Sequence, residues 1–271
     1  MTRFMRLYNE RWSCTRRSLF FKNLFSAGLV FLLCCYAIRT DMLATYDATK
    51  AGLFSLLLAM IWSGLFNSIG LYSEESIYTN DDMSKSLPLH VYIEGTVWIQ
   101  LKLCFLQTLE CICIYYYFFG FNQQSVVFPL IIFDFGLTFF LILFSADMLG
   151  LALGTCVNSV SSALSIIPVA LVFQLLLSGC LFDLDGIMKY VSVFTTARYG
   201  FSALGSIVDL NGEKLPLQIS AYYPEVIKQS NDLFECSAAY ITDCWKNLLL
   251  LSVIGLILAG LSLYIKINRK H

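Results

Sequence analysis

Long apolar runs alternate with short polar stretches along this chain, and the lengths of the runs select helices that cross a bilayer. Runs of roughly twenty residues occupy 19–38, 51–72, 163–182 and 247–265, and longer ones occupy 91–119 and 126–156. A hydrocarbon core of ~30 Å is crossed by about 20 helical residues, so six spans are predicted, the third and fourth with length to spare for tilt or projection. The first run is closed by Arg39, and the short interval before residue 51 makes the first two spans a helical hairpin. The polar, acidic segment 73–90, SEESIYTNDDMSKSLPLH, is too short to form a domain.

The stretch 168–204 departs from this alternation. The fifth run ends at Ser178-Gly179, gives way to Asp183 and Asp185, and continues as a half-polar segment within the non-spanning region 183–246. Irregular backbone at membrane depth survives only where protein or a water-filled cavity surrounds it, so the segment reads as a short re-entrant dip at the outer mouth of a pathway. The start of the chain has its own pattern. Arg3, Arg6, Arg11, Arg16, Arg17 and Lys22 oppose a single Glu10 and interleave with Phe4, Leu7, Trp12, Leu19 and Phe20. That is an amphipathic helix over 1–22 lying at a membrane surface. A signal peptide is the rival reading, but no small-x-small cleavage site follows the basic start. The expected fold is therefore all-α and integral to the membrane: an interfacial helix, then a six-helix domain over 23–271.

Composition agrees, with 58% hydrophobic and 14% charged residues, which excludes a soluble domain. A net charge of −1 offers no basic surface to nucleic acid. Charge placement says more than the total. Six Lys and Arg lie at 3–22 and three at 266–270, so both termini are expected in the cytoplasm, with 73–90 inside and 183–246 outside. Of the ten cysteines, Cys34, Cys35, Cys104, Cys111, Cys113, Cys156 and Cys180 sit in apolar runs as small hydrophobes. Cys236 and Cys244 share a polar segment on the expected outer side, where either a disulfide or two free thiols fit the spacing. With His90 and His271 as the only histidines, no zinc-like spacing occurs and no metal site is expected.

Charges inside the runs are the candidate chemistry. Lys102 and Glu110 fall in the third, Asp134 and Asp147 in the fourth. A charge at bilayer depth costs about 2.5–3.5 kcal/mol on the insertion scale and seeks a partner or water. Lys102 and Glu110 are about 12 Å apart along a helix, too far to pair, so an ion pair of Lys102 with Asp134 or Asp147 is the structural expectation and a proton or cation relay the functional one. Ala146, Gly150 and Gly154 recur at four-residue spacing and predict a close helix–helix approach. No G-x-x-x-x-G-K-[ST] loop, G-x-S-x-G elbow or H-E-x-x-H helix is present, so the chain is not expected to be an enzyme by itself.

Several strings, taken in order, resemble the transmembrane domain of ABC-2 type transporters, in particular the G-subfamily of pigment-precursor and multidrug half-transporters. RLYNERWSCTRRSLFFKNL is similar to that family's connecting helix and entry to the first span, LFSADMLGLALG, LLLSGCLFDLDG and ARYGFSALG to its fourth span through its re-entrant outer segment, and CWKNLLLL to its last span. The resemblance covers nearly the whole chain. It implies one permease half of a homo- or heterodimer in the lipid bilayer, driven by an ABC ATPase that carries ATP and Mg, expected as a separate subunit or outside this sequence. It implies export of an apolar or amphipathic substrate by alternating access; a proton- or cation-coupled transporter or channel using Lys102, Glu110, Asp134 and Asp147 is the other reading. By matching position, Glu75 and Asp82 in the cytoplasmic coupling element 73–90 would meet the ATPase, although Ser76 and Asn80 stand where bacterial relatives often carry basic residues. Met60, Ser63, Val172 and Leu175 would line the substrate cavity. Ser63 falls where multidrug members have a clamping phenylalanine, and Trp62 would point about 100° away from it. Cys180 and Leu181 would form the outer plug, and Arg198 would anchor the re-entrant helix.

Overall fold

The computed structural model describes residues 20–37, 46–69, 89–120, 125–181, 186–211 and 232–268. These residues form α1 (Phe20–Ala37), α2 (Tyr46–Ser68), α3 (Leu89–Phe119), α4 (Ile131–Thr155), α5 (Val160–Leu176), α6 (Ile187–Ser192), α7 (Thr196–Ile207), a single 3-10 turn (Asp232–Phe234) and α8 (Ala238–Asn268). Among the described residues there is no strand. Five helices, α1 to α4 and α8, are long and apolar enough to cross a membrane; α5 is apolar but has 17 residues.

The boundaries shift by several residues at both ends of α2 and at the start of α4, and two further differences have a visible local cause. The fifth helix ends at Leu176 rather than near residue 182, because Ser178 and Gly179 turn the chain, with Gly179 at φ 78, where a side chain would be strained. The last helix begins at Ala238, nine residues before the apolar run at 247, because Ser237 supplies a hydroxyl to the backbone N–H of Tyr240 at 3.2 Å and starts the helix on polar sequence. The interfacial helix over 1–22 lies almost wholly outside the described residues, as does most of the 73–90 segment, with Glu75 and Asp82 in it.

The core is built around the α2–α4 pair. A Cβ added to Gly150 would sit 2.7 Å from the Leu65 carbonyl oxygen, and one added to Gly154 would sit 2.0 Å from that of Ile69. Gly64 returns the contact, since its Cβ would lie 2.6 Å from the Leu143 carbonyl oxygen and 2.7 Å from Ala146. The four-residue stripe Ala146, Gly150 and Gly154 is therefore the surface on which α2 lies, and backbone approach rather than side-chain interdigitation makes that seam tight.

The amphipathic α7 is buried against α2, α4 and α8. Phe201 packs edge-on to Phe54 of α2 at 5.7 Å and to Phe234 at 5.2 Å, while Gly200 leaves room for Leu57 and Ile142. Its first turn, which has orphan N–H groups, is satisfied from α5: the buried Gln174 side-chain carbonyl accepts from the Ala197 N–H at 2.8 Å. Thr196 and Ser145 of α4 share a hydrogen bond of 2.9 Å. The guanidinium of Arg198 donates to the Lys189 carbonyl at 2.8 Å and to the Ser192 hydroxyl at 2.5 Å, tying α7 back to α6. Burial pushes the Tyr199 phenol up from its ordinary pKa, opposed by the neighbouring Arg198 charge.

Candidate functional site

A helix that stops inside the protein leaves its last carbonyls without intrahelical donors. The end of α2 meets that problem at Asn67 and Ser68, both buried. The Asn67 carbonyl accepts from the Lys22 ammonium of α1 and from the Gln100 amide of α3 at 3.2 Å. A cation at a helix C-terminus is favoured by the macrodipole as well as by the hydrogen bond. The Asn67 side chain forms a reciprocal amide pair with Gln107, at 2.8 Å and 3.1 Å.

The same Gln100 nitrogen donates to Asp147 Oδ1 at 3.2 Å, and the Cys104 thiol reaches Asp147 Oδ2 at 3.5 Å. Ser68 donates its hydroxyl to the Asp147 carbonyl oxygen. Asp147 is fully buried, and the charge on Lys22 acts on it. The glycine stripe explains why this is possible: with no side chains between them, the end of α2 rests directly on α4 one turn from Asp147. Four helices thus converge on one polar node of Lys22, Asn67, Ser68, Gln100, Cys104, Gln107 and Asp147.

Lys102 lies on the exposed face of α3, while the hydrogen bonds of both buried aspartates come from other residues. Lys102 is two residues past Gln100, about 200° round the helix, so the face that meets α4 carries the amide instead. Asp134 is also fully buried and serves a different purpose. From the first turn of α4 it accepts from the backbone N–H groups of Val126, Val127 and Phe128 at 3.0, 3.2 and 3.0 Å and from the Ser125 hydroxyl at 2.9 Å. It folds the connection before α4, and Trp245 of α8 closes over it, stacking on Phe128 at 5.8 Å and donating to Thr138 at 2.8 Å.

The expected cavity residues do not share one surface. Met60 and Ser63 are 0% and 1% exposed inside the chain, whereas Trp62 is 42% exposed. The open stripe of α2 runs through Ala51, Ser55, Leu58, Trp62 and Phe66 at three- and four-residue spacing, because the opposite side, with Gly64, is pressed against α4. On α5, Val172 is exposed and Leu175 partly so. After α5, Cys180 is partly buried and Leu181 exposed. Cys236 and Cys244 are both buried and no disulfide joins them: Cys236 precedes α8 and Cys244 sits in its second turn, so each packs at a different level. Among the described residues no group of three His, Cys, Asp or Glu could hold a metal ion.

Asn67, Gln100 and Gln107 carry no charge and do not stand out among the charged residues of the apolar runs. Uncharged amides in a membrane helix were the available signal, since each must find a partner there.

Five membrane-length helices, four of them meeting at a buried polar node, define a multi-pass integral membrane protein. Residues 2–208 match the family model of the ABC-2 type transporter, and the chain belongs to that family. The matched domain is of the permease type rather than a catalytic one. The chain is also similar to the broad substrate specificity ATP-binding cassette transporter ABCG2 of Mus musculus, 28% identical over 136 residues, which are 45% of this chain and 20% of that protein. The protein of the same name from Rattus norvegicus is 27% identical over 191 residues, 65% of this chain and 27% of that protein. The chain therefore corresponds to only about a quarter of the length of these relatives.

Proposed function

We propose that this chain is the membrane-spanning permease of an ATP-driven ABC transporter, one half of a dimer of six-helix halves that exports apolar or amphipathic compounds by alternating access. The family match over residues 2–208 carries the reading. ATP and Mg would be held by an ABC ATPase, and the relatives' printed name, a broad-specificity ATP-binding cassette transporter, supports such a partner. In this reading α5 is the fifth of six spans, α6 and α7 form the re-entrant outer segment, Arg198 anchors it, and Cys180 and Leu181 plug the exit. Both termini are cytoplasmic.

The polar node supplies a route for coupling. α2 leads from Asn67 and Ser68 into the 73–90 element, whose Glu75 and Asp82 would receive the ATPase. Because Lys22, Gln100 and Asp147 hold that end of α2, displacement of the coupling element would move α1, α3 and α4 together. A relay of protons or cations has less support, since Asp134 is fully occupied by its own loop.

The test is co-reconstitution of the chain with its candidate ATPase in proteoliposomes. ATP-dependent movement of an amphipathic dye is expected, and Glu75→Ala with Asp82→Ala should leave hydrolysis while abolishing transport. Movement that persists without any ATPase would overturn the reading.

A further inference from the structure

Of the four carboxyl groups within α3 and α4, those of Glu110, Asp134 and Asp147 lie deepest in the apolar runs, and their surroundings differ. Asp134 takes four hydrogen bonds from its loop, and Asp147 is bonded by Gln100 and Cys104. Glu110 has a buried Oε2 with no hydrogen-bond partner. It lies 17 residues beyond Ile93 and 9 before Phe119, the ends of the apolar span of α3. Those separations are about 25 Å and 13 Å of helix, which puts the carboxyl well inside the hydrocarbon.

Glu110 adjoins the seam between α3 and α1. The next residue, Cys111, faces the Ser26 hydroxyl of α1, Cys34 lies near Cys111 and Tyr115, and Phe31 packs on Phe118 with ring centres 5.3 Å apart. One turn before Ser26 on α1 is a second orphan: Asn23 Oδ1 is likewise buried with no partner. Leu106, Leu109 and Cys113 beside Glu110, and Leu24 beside Asn23, are exposed. The seam therefore carries the orphaned Glu110 carboxyl on α3 and the orphaned Asn23 amide oxygen on α1, each beside apolar side chains exposed on the outside of the bundle.

The chemistry of that arrangement selects its ligand. Buried acceptors need donors, and a carboxylate in hydrocarbon needs a positive charge. A bare divalent ion calls for six or more oxygens, and the seam provides two orphaned acceptors. A phospholipid headgroup stays at the bilayer surface, well away from this depth. What fits is a protonated amine carried on an apolar body.

We infer that the α1–α3 seam is a binding site for lipophilic amines, with the Glu110 carboxylate as counter-ion and Asn23 Oδ1 as the second acceptor. The site deepens the proposed transport function by naming a substrate class, and it rests on that reading only for the amine being cargo.

The test uses the full chain with its ATPase in nanodiscs of uncharged lipid, labelled with the membrane-soluble reagent dicyclohexylcarbodiimide and read by peptide mass. Glu110 should be labelled, and dodecylamine should lower that labelling about tenfold where dodecanol leaves it unchanged. Glu110→Gln should remove the label, and Asn23→Ala should keep it but weaken protection by the amine. Equal protection by amine and alcohol, no protection by the amine, or a Glu110 that never labels would each overturn the site. Protection without ATP-driven transport would keep the site and overturn the transport reading; transport without protection would do the reverse.

Discussion

The side-chain amide of Gln100 divides its hydrogen bonding between two helices, reaching the Asp147 carboxylate of α4 at 3.2 Å and the Asn67 carbonyl of α2 at 3.2 Å. One nitrogen on α3 thereby holds the end of α2 to the helix on which it rests. Gln100→Leu removes a donor from both acceptors and is expected to destabilise the chain by about 1–3 kcal/mol. Asp147→Leu should likewise cost about 1–3 kcal/mol, because the Gln100 amide and the Cys104 thiol lose their buried acceptor. Thermal unfolding in detergent measures both, and an unchanged melting temperature for either variant would remove that residue from the node.

The α2–α4 seam predicts a sharp size limit. Gly154→Leu must displace the Ile69 backbone, which is expected to cost about 1–3 kcal/mol or more. Gly28 on α1 is the control, since a Cβ there meets nothing within 4 Å. Gly28→Ala should be neutral or stabilising by up to about 1 kcal/mol through helix propensity. The melting temperatures of the two variants should move apart.

Asp134 is expected to be structural. Asp134→Ala strips three backbone N–H groups and a hydroxyl of their acceptor, a loss of about 2–5 kcal/mol for a charge-assisted cluster. Since Trp245 stacks on Phe128 in the same loop, its fluorescence should shift to the red well below the global unfolding temperature. A variant with unchanged emission and retained stability would show that the loop does not depend on the carboxylate.

Accessibility on α2 should follow Trp62 rather than Ser63. In an otherwise cysteine-free chain, Trp62→Cys is expected to react with a membrane-permeant maleimide, and Ser63→Cys to react far more slowly because its position is buried inside the chain. Faster labelling at 63 would restore that face to the cavity.

Cys236 and Cys244 should both be alkylated after denaturation without reductant. A peptide mass lacking both additions would establish the disulfide instead. Cys244→Ser should cost stability through the loss of a buried small hydrophobe, with or without reductant present.

Much of the architecture was legible from local pattern. Apolar length marked each long helix, though it placed the start of the last one nine residues late, and the spacing of Ala146, Gly150 and Gly154 marked the helix seam, because periodicity is a property of neighbouring residues. The polar residues were less legible. Asp134 and Asp147 looked alike as charges in an apolar run, yet one folds the loop just before it while the other meets residues from α2 and α3. Ser63 and Trp62 are adjacent, and only the packing of α2 on α4 shows which is buried.

By itself, then, the sequence determined that the chain is an α-helical membrane protein and where its long helices lie, since the transfer of apolar residues from water depends on composition over a short window. The tertiary structure decided which polar groups meet. Gln100 and Asp147 are 47 residues apart, and Asn67 and Gln107 are 40 apart. No local pattern encodes such a pairing; it exists because the glycine stripe lets two backbones touch, and the buried polar groups around that contact must satisfy one another.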